Sequence, residues 1–201
     1  MTTPNALDDV AHARDDYQAA EEELRVLRQR MLAIKRRLVA ADPAPLPEYR
    51  FQTVDGTVGL AELFGDKEDL LVIHNMGRGC SYCTLWADGF NGLLPHLEDR
   101  AAVVLSSPDS PEVQREFAGS RGWDYRMVSV ADSPFSQDLG FKEGDSYWPG
   151  VSAFRKQPDG TIVRVAADFF GPGDAYCGAW HLYDLLEAGA AGWQPRFAYG
   201  A

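Results

Sequence analysis

The sequence predicts an α/β fold in which a mixed sheet is flanked by helices and preceded by a long N-terminal helical arm. Three observations predict it. The run Leu70-Leu71-Val72-Ile73 is continuously apolar, as a parallel strand covered on both faces must be. A C-x-x-C pair, Cys80 and Cys83, follows that strand and opens a helical stretch. Residues near the start carry a heptad apolar stripe. The 201 residues suffice for one ordinary domain with an appendage, and the predicted boundaries are 1–42 for the arm and 43–201 for the domain.

The arm is predicted as a helix over residues 5–41. Val10, Tyr17, Leu24, Met31 and Leu38 recur every seven residues, with Ala13, Ala20, Leu27 and Ile34 three positions later. Acidic residues crowd its first half and basic ones its second, which suits the helix dipole. Pro43, Pro45 and Pro47 should stop it near Asp42. The stripe either packs on its own domain or pairs with a second subunit. Its length favours the second, and a homodimer is expected. The basic run near Arg36 reads as a solvated helix end.

Residues 49–54 read as a strand turned by Asp55-Gly56, and 60–64 as a short helical turn. Residues 69–74 form the first buried strand, 80–97 a helix and 101–106 a second buried strand. A helix from Ser110 or Pro111 to about Gly122 and a short strand over 127–130 follow. Residues 150–155 and 161–166 alternate around Pro158-Asp159-Gly160, a hairpin signature. A last helix is predicted over 174–188. Strands joined by helices should run parallel, and the late pair antiparallel.

Composition narrows function. The net charge of −11 repels phosphate backbones and anionic bilayers, so neither nucleic acid nor membrane is an expected partner. No basic cluster with an apolar segment opens the chain, and its apolar runs are too short to span a bilayer, so a cytoplasmic protein is expected. Three cysteines are too few for a secreted disulfide framework; in a reducing compartment a close pair is catalytic or metal-binding more often than structural.

At a helix N-terminus, unpaired N–H groups and the dipole favour thiolate, the nucleophilic form. Cys80, at the exposed start, is the expected attacking thiol, and Cys83, one turn on, the resolving one. Arg78 would add positive field. His74, ending the strand before the dithiol, either relays protons or simply hydrogen-bonds there. Tyr82 and Trp86 either shape a contact surface or pack on the sheet, and Tyr82, between the cysteines, is expected to be exposed. The two thiols carry the electrons, so no cofactor and no metal is expected, and the substrate is a protein or small-molecule disulfide or dithiol.

This arrangement resembles a thioredoxin-like sheet. In such a sheet Pro149, in Tyr147-Trp148-Pro149-Gly150-Val151, faces the dithiol, and a cis proline there would leave neighbouring backbone free to hold an extended substrate. Residues 75–90, with Gly79-Cys80-Ser81-Tyr82-Cys83, residues 148–154, and the ending with residues 170–174 and Trp193-Gln194-Pro195-Arg196 resemble the DUF899 thioredoxin-like proteins over nearly the whole chain. That resemblance implies a dithiol–disulfide oxidoreductase with Cys80 and Cys83 as active thiols and Pro149, with Trp148 beside it, facing the substrate.

Three alternatives compete. A peroxiredoxin-like thiol peroxidase would need a threonine hydroxyl three residues before its cysteine, where Gly77 stands before Cys80. A structural zinc site could draw on Cys80, Cys83, Cys177 and His181, a common ligand composition; the last helix, however, is expected on the sheet face away from the dithiol. A non-catalytic interaction module would need neither thiol.

Overall fold

The computed structural model describes residues 6–40 and 45–200. The chain divides into two compact units, Met1–Asp42 and Pro43–Ala201. The first is helix α1, Ala6–Ala40. The predicted start at Asn5 and stop near Asp42, with Pro43, lie outside the described residues.

The second unit is built on a seven-stranded sheet. Its strands are β1 (Arg50–Thr53), β2 (Gly56–Gly59), β3 (Asp69–His74), β4 (Ala102–Ser107), β5 (Arg126–Ser129), β8 (Gly150–Lys156) and β9 (Ile162–Phe169). They lie in the order β2-β1-β5-β4-β3-β8-β9. As the helical crossovers require, β3, β4 and β5 are parallel. The hairpin around Pro158-Asp159-Gly160 makes β8 and β9 antiparallel, and β8 runs antiparallel to β3. A two-stranded ribbon, β6 (Lys142–Glu143) and β7 (Ser146–Tyr147), stands apart.

Both faces of the sheet are covered, which explains the unbroken apolar runs. Leu70 and Val72 of β3 point to one layer with Phe51, Phe135, Phe141 and Phe154. Ile73 points to the other, with Trp86, Leu94, Phe170, Cys177 and Trp180. Helices α2 (Ser81–Asn91), α3 (Leu94–Arg100), α4 (Pro111–Arg121) and α6 (Gly178–Tyr183) contribute to the second layer; α5 (Phe135–Asp138) and a 3₁₀ turn at Leu60–Phe64 contribute to the first.

Two helices differ from expectation. The single helix over 80–97 is two, parted at Gly92-Leu93, because Pro95 lacks an N–H and is tolerated only in the first turn of α3. The helix over 174–188 shrinks to Gly178–Tyr183. Asp174 Oδ1 takes the N–H groups of Tyr176 (2.8 Å) and Cys177 (3.1 Å), and its Oδ2 that of Gly171 (3.0 Å). Such side-chain bonding competes with helix formation. Among the described residues no helix is long and apolar enough to cross a membrane.

Candidate active site

The dithiol lies where the chain leaves the carboxyl end of β3. Asn75 ties the loop down: its N–H donates to Ser106 O (2.9 Å), and its Oδ1 accepts the Gly77 N–H (2.8 Å). The Cys80 N–H donates to Gly77 O at 3.1 Å. Cys80 then takes the N-cap position of α2 in extended conformation (φ −102°, ψ 106°), and its Sγ accepts the Cys83 N–H at 3.1 Å. A sulfur thus stands where a Ser or Asp oxygen usually satisfies the helix's orphan donors. Thr84 Oγ1 donates to Cys80 O at 3.0 Å and pins the turn.

The two thiols are unequal. Cys80 is half-buried, Cys83 is 3% exposed, and both are free thiols. A hydrogen bond from the Cys83 thiol, aided by the N–H groups of Cys83 and Tyr82, outweighs burial and brings Cys80 down to about 7. Cys83 is driven far up by that same hydrogen bond, by burial and by the Cys80 charge. Near neutrality Cys80 is therefore substantially thiolate while Cys83 keeps its proton. This is the asymmetry that attack followed by resolution needs.

The other predicted residues fall in varied places. Tyr82 is half-buried, its ring 6.1 Å from Trp86 and 6.3 Å from Trp180. Trp86 is buried, 5.3 Å from the Phe170 ring, and so packs in the core instead of lining a contact surface. Arg78 is exposed, and its backbone N–H is engaged by Asp109. The register aligning His74 with Gly150 puts Pro149 at the same end of the sheet as the dithiol loop, with the half-exposed Trp148 beside it.

The expectation of a cis proline is corrected: no described peptide bond is cis. Nor is the flanking backbone left free. The Trp148 N–H donates to Phe141 O (2.9 Å), and Pro149 O accepts the Phe170 N–H (2.9 Å). Gly150 fits only without a side chain, because a Cβ there would lie 2.3 Å from Asp168 O and 2.4 Å from a Phe141 ring carbon.

His74 turns away from the dithiol, into the layer opposite α2. Its ring stacks 3.7 Å from Phe141, and Nε2 lies 3.0 Å from Ser152 Oγ. The strand-end hydrogen bond, not the relay, describes it. The expected separation of Cys177 and His181 from the dithiol by the sheet is also corrected. The chain after β9 crosses to the α2 side, and Cys177 and Trp180 share a core layer with Trp86. Even so, no group of three or more His, Cys, Asp or Glu among the described residues is arranged to hold a metal.

Sequence reading missed Asp109. It lies between β4 and α4 and accepts the Arg78 N–H at 2.7 Å, 31 residues away in sequence. Its only prior signal is position, just past the carboxyl end of a parallel strand, where sites in open α/β sheets form.

Residues 2–195 match the family model described as bacterial protein of unknown function, DUF899. Comparison with curated proteins finds no match. Among solved structures, the peroxidoxin BcpB from Mycobacterium tuberculosis is similar, with a TM-score of 0.52 at 21% identity over 63% of this chain and 84% of that one. Reduced Prx3 from Vibrio vulnificus, in complex with hydrogen peroxide, gives a TM-score of 0.53 at 14% identity over 66% and 86%. The fold is thioredoxin-like, of the kind these peroxiredoxins share.

Proposed function

The chain belongs to the DUF899 family, and on that premise we propose that it is a thiol–disulfide oxidoreductase working through Cys80 and Cys83. One observation carries the reading: Cys80 Sγ caps α2 and accepts the N–H of a buried Cys83 one turn later. The Cys80 thiolate attacks one sulfur of a substrate disulfide, forming a mixed disulfide and expelling the other sulfur as thiolate. Cys83 then gives up its proton and attacks Cys80 Sγ, releasing the second substrate thiol. Two electrons pass to the substrate, and the Cys80–Cys83 disulfide remains. The reverse direction oxidises a dithiol, and the reduction potential selects between them.

The second reading, a thiol peroxidase, is supported by the peroxiredoxin-like fold. There the Cys80 thiolate attacks a peroxide oxygen, an alcohol or water leaves, and Cys83 condenses with the sulfenic acid, releasing water. Met76 and Gly77, four and three residues before Cys80, offer no hydroxyl to hold the peroxide.

Titration of the purified chain against a glutathione or dithiothreitol series, with thiols trapped and counted by mass, tests the first reading. A single two-electron transition that needs both Cys80 and Cys83 is expected. Thiols that stay reduced across the series overturn it. Oxidation by hydrogen peroxide far faster than by any disulfide selects the second.

We also propose that α1 pairs with α1 of a second copy through its heptad stripe. Its 35 residues reach roughly 50 Å at about 1.5 Å each, beyond the width of a small domain. Light scattering should give twice the 22.2 kDa chain mass, reduced to one chain by Leu24→Glu with Met31→Glu. A monomeric wild type ends this proposal.

A further inference from the structure

Strands β3 and β4 are parallel neighbours with His74 aligned to Ser106, so the loops that follow them leave the same end of the sheet side by side. One loop carries the dithiol and the other carries Asp109. The Arg78 N–H donates to Asp109 Oδ2 at 2.7 Å. The carboxylate also lies directly on Gly77, where a Cβ would stand 3.1 Å from both of its oxygens. Gly77 has φ +101°, a conformation side chains rarely adopt, so glycine is needed here both for the backbone and for the close approach.

Asp109 is itself braced from the core. Its N–H and Oδ2 each lie 3.4 Å from Ser107 Oγ. That buried hydroxyl accepts the Gln114 amide at 2.9 Å, and the same amide nitrogen reaches Val128 O at 2.9 Å. Gln114 and Ser107 are both buried, so each needs its partner. A line of polar contacts thus runs from β5 and α4 through Ser107 and Asp109 to the loop ahead of Cys80.

We infer that Asp109 is a positioning residue for the dithiol, holding residues 77–78 so that Cys80 is presented at the N-terminus of α2. The inference rests on the redox reading above. Gly77 O accepts the Cys80 N–H, so a shift of the loop carries Cys80 away from the Cys83 and Tyr82 N–H groups that favour its thiolate. The role calls for a hydrogen-bond acceptor at this point and not for its charge, so asparagine should serve.

Iodoacetamide alkylation of Cys80, followed by mass from roughly pH 5 to 10, tests this in Asp109→Ala, Asp109→Asn and Asp88→Ala. Asp88 binds Arg121 and the Trp123 Nε1–H (2.8 Å) in the clamp between α2 and α4, and its loss controls for lowered stability alone. Asp109→Ala should raise the alkylation midpoint by about one pH unit. Asp109→Asn and Asp88→Ala should keep the wild-type midpoint, the latter despite a lower Tm. The inference is overturned if Asp109→Ala leaves the midpoint in place, if Asp109→Asn moves it as far, or if Asp88→Ala moves it equally. Redox titration of the wild type alongside separates the two failures. A wild type without a two-electron transition removes the redox reading; one with the transition, and an unmoved Asp109→Ala, removes only the role of Asp109.

Discussion

Cys80→Ser should abolish disulfide exchange, lowering its rate by roughly three orders of magnitude or more, whereas Cys83→Ala should stop the reaction at a mixed disulfide on Cys80. The difference follows from exposure and from the charge that each sulfur carries. At pH 6 a thiol at about 7 is roughly one-tenth thiolate, while one at its ordinary value of 9.0 is roughly one-thousandth. That is about a hundredfold more nucleophile. A less basic thiolate is intrinsically slower, by about tenfold over such a range. Cys80 should therefore react about tenfold faster than an unperturbed exposed thiol at pH 6, and the advantage should shrink above about pH 7 and be gone near about pH 8. Cys83→Ala removes the strongest contact favouring the Cys80 thiolate, so its alkylation midpoint should rise even as the adduct persists. Intact mass after mixing with an aromatic disulfide reads both effects. An adduct on the Cys80→Ser chain, or one that forms equally on either single variant, would reverse or dissolve the assigned roles.

What the chain reveals before folding is mostly what local pattern and chain direction govern. The apolar runs of β3 and β4, the Pro158-Asp159-Gly160 turn and the Cys80–Cys83 spacing each act within a few residues, and all were legible. The departures come from contacts that sequence distance hides. Asp174 draws in three neighbouring N–H groups and delays α6 until Gly178. The trans bond at Pro149 accompanies ties from Trp148 to Phe141 and from Phe170 to Pro149, neither of which a local motif records. Asp109 could be linked to Gly77 only by knowing that β3 and β4 are neighbours and that Gly77 lets the carboxylate reach the backbone. Likewise, a histidine at the end of a strand next to a dithiol invites a catalytic reading. Period-two alternation along β3 decides otherwise: Ile73 faces α2, so His74 must face the other layer.

That placement of His74 makes acid sensitivity of the fold an expected property. The ring is buried between Phe135 and Phe141, with Ser152 Oγ on Nε2 and, among the described residues, no partner on Nδ1. Burial first, and the Arg164 charge second, push it down to about 3 from its ordinary 6.5. The unfolded chain protonates this ring below about 6.5 and the folded chain does not, so the unfolded state binds more protons there and stability falls as pH drops from 6.5 towards 3. The slope approaches about 1.4 kcal/mol per pH unit, so at pH 5 the cost is about 2 kcal/mol, a large share of the stability of an ordinary domain. His74→Phe keeps an aromatic ring against Phe141 but leaves Ser152 Oγ without its partner. It should be less stable than wild type near pH 7.5, by about 1–3 kcal/mol, yet lose less on acidification. Urea unfolding at pH 7.5, 6 and 5 compares the two slopes. Because carboxylates elsewhere titrate in both proteins, the difference between the slopes, and not either one alone, isolates His74. Parallel stability curves for the two proteins would mean that the ring takes up its proton in place, and that the stack on Phe141 tolerates the charge.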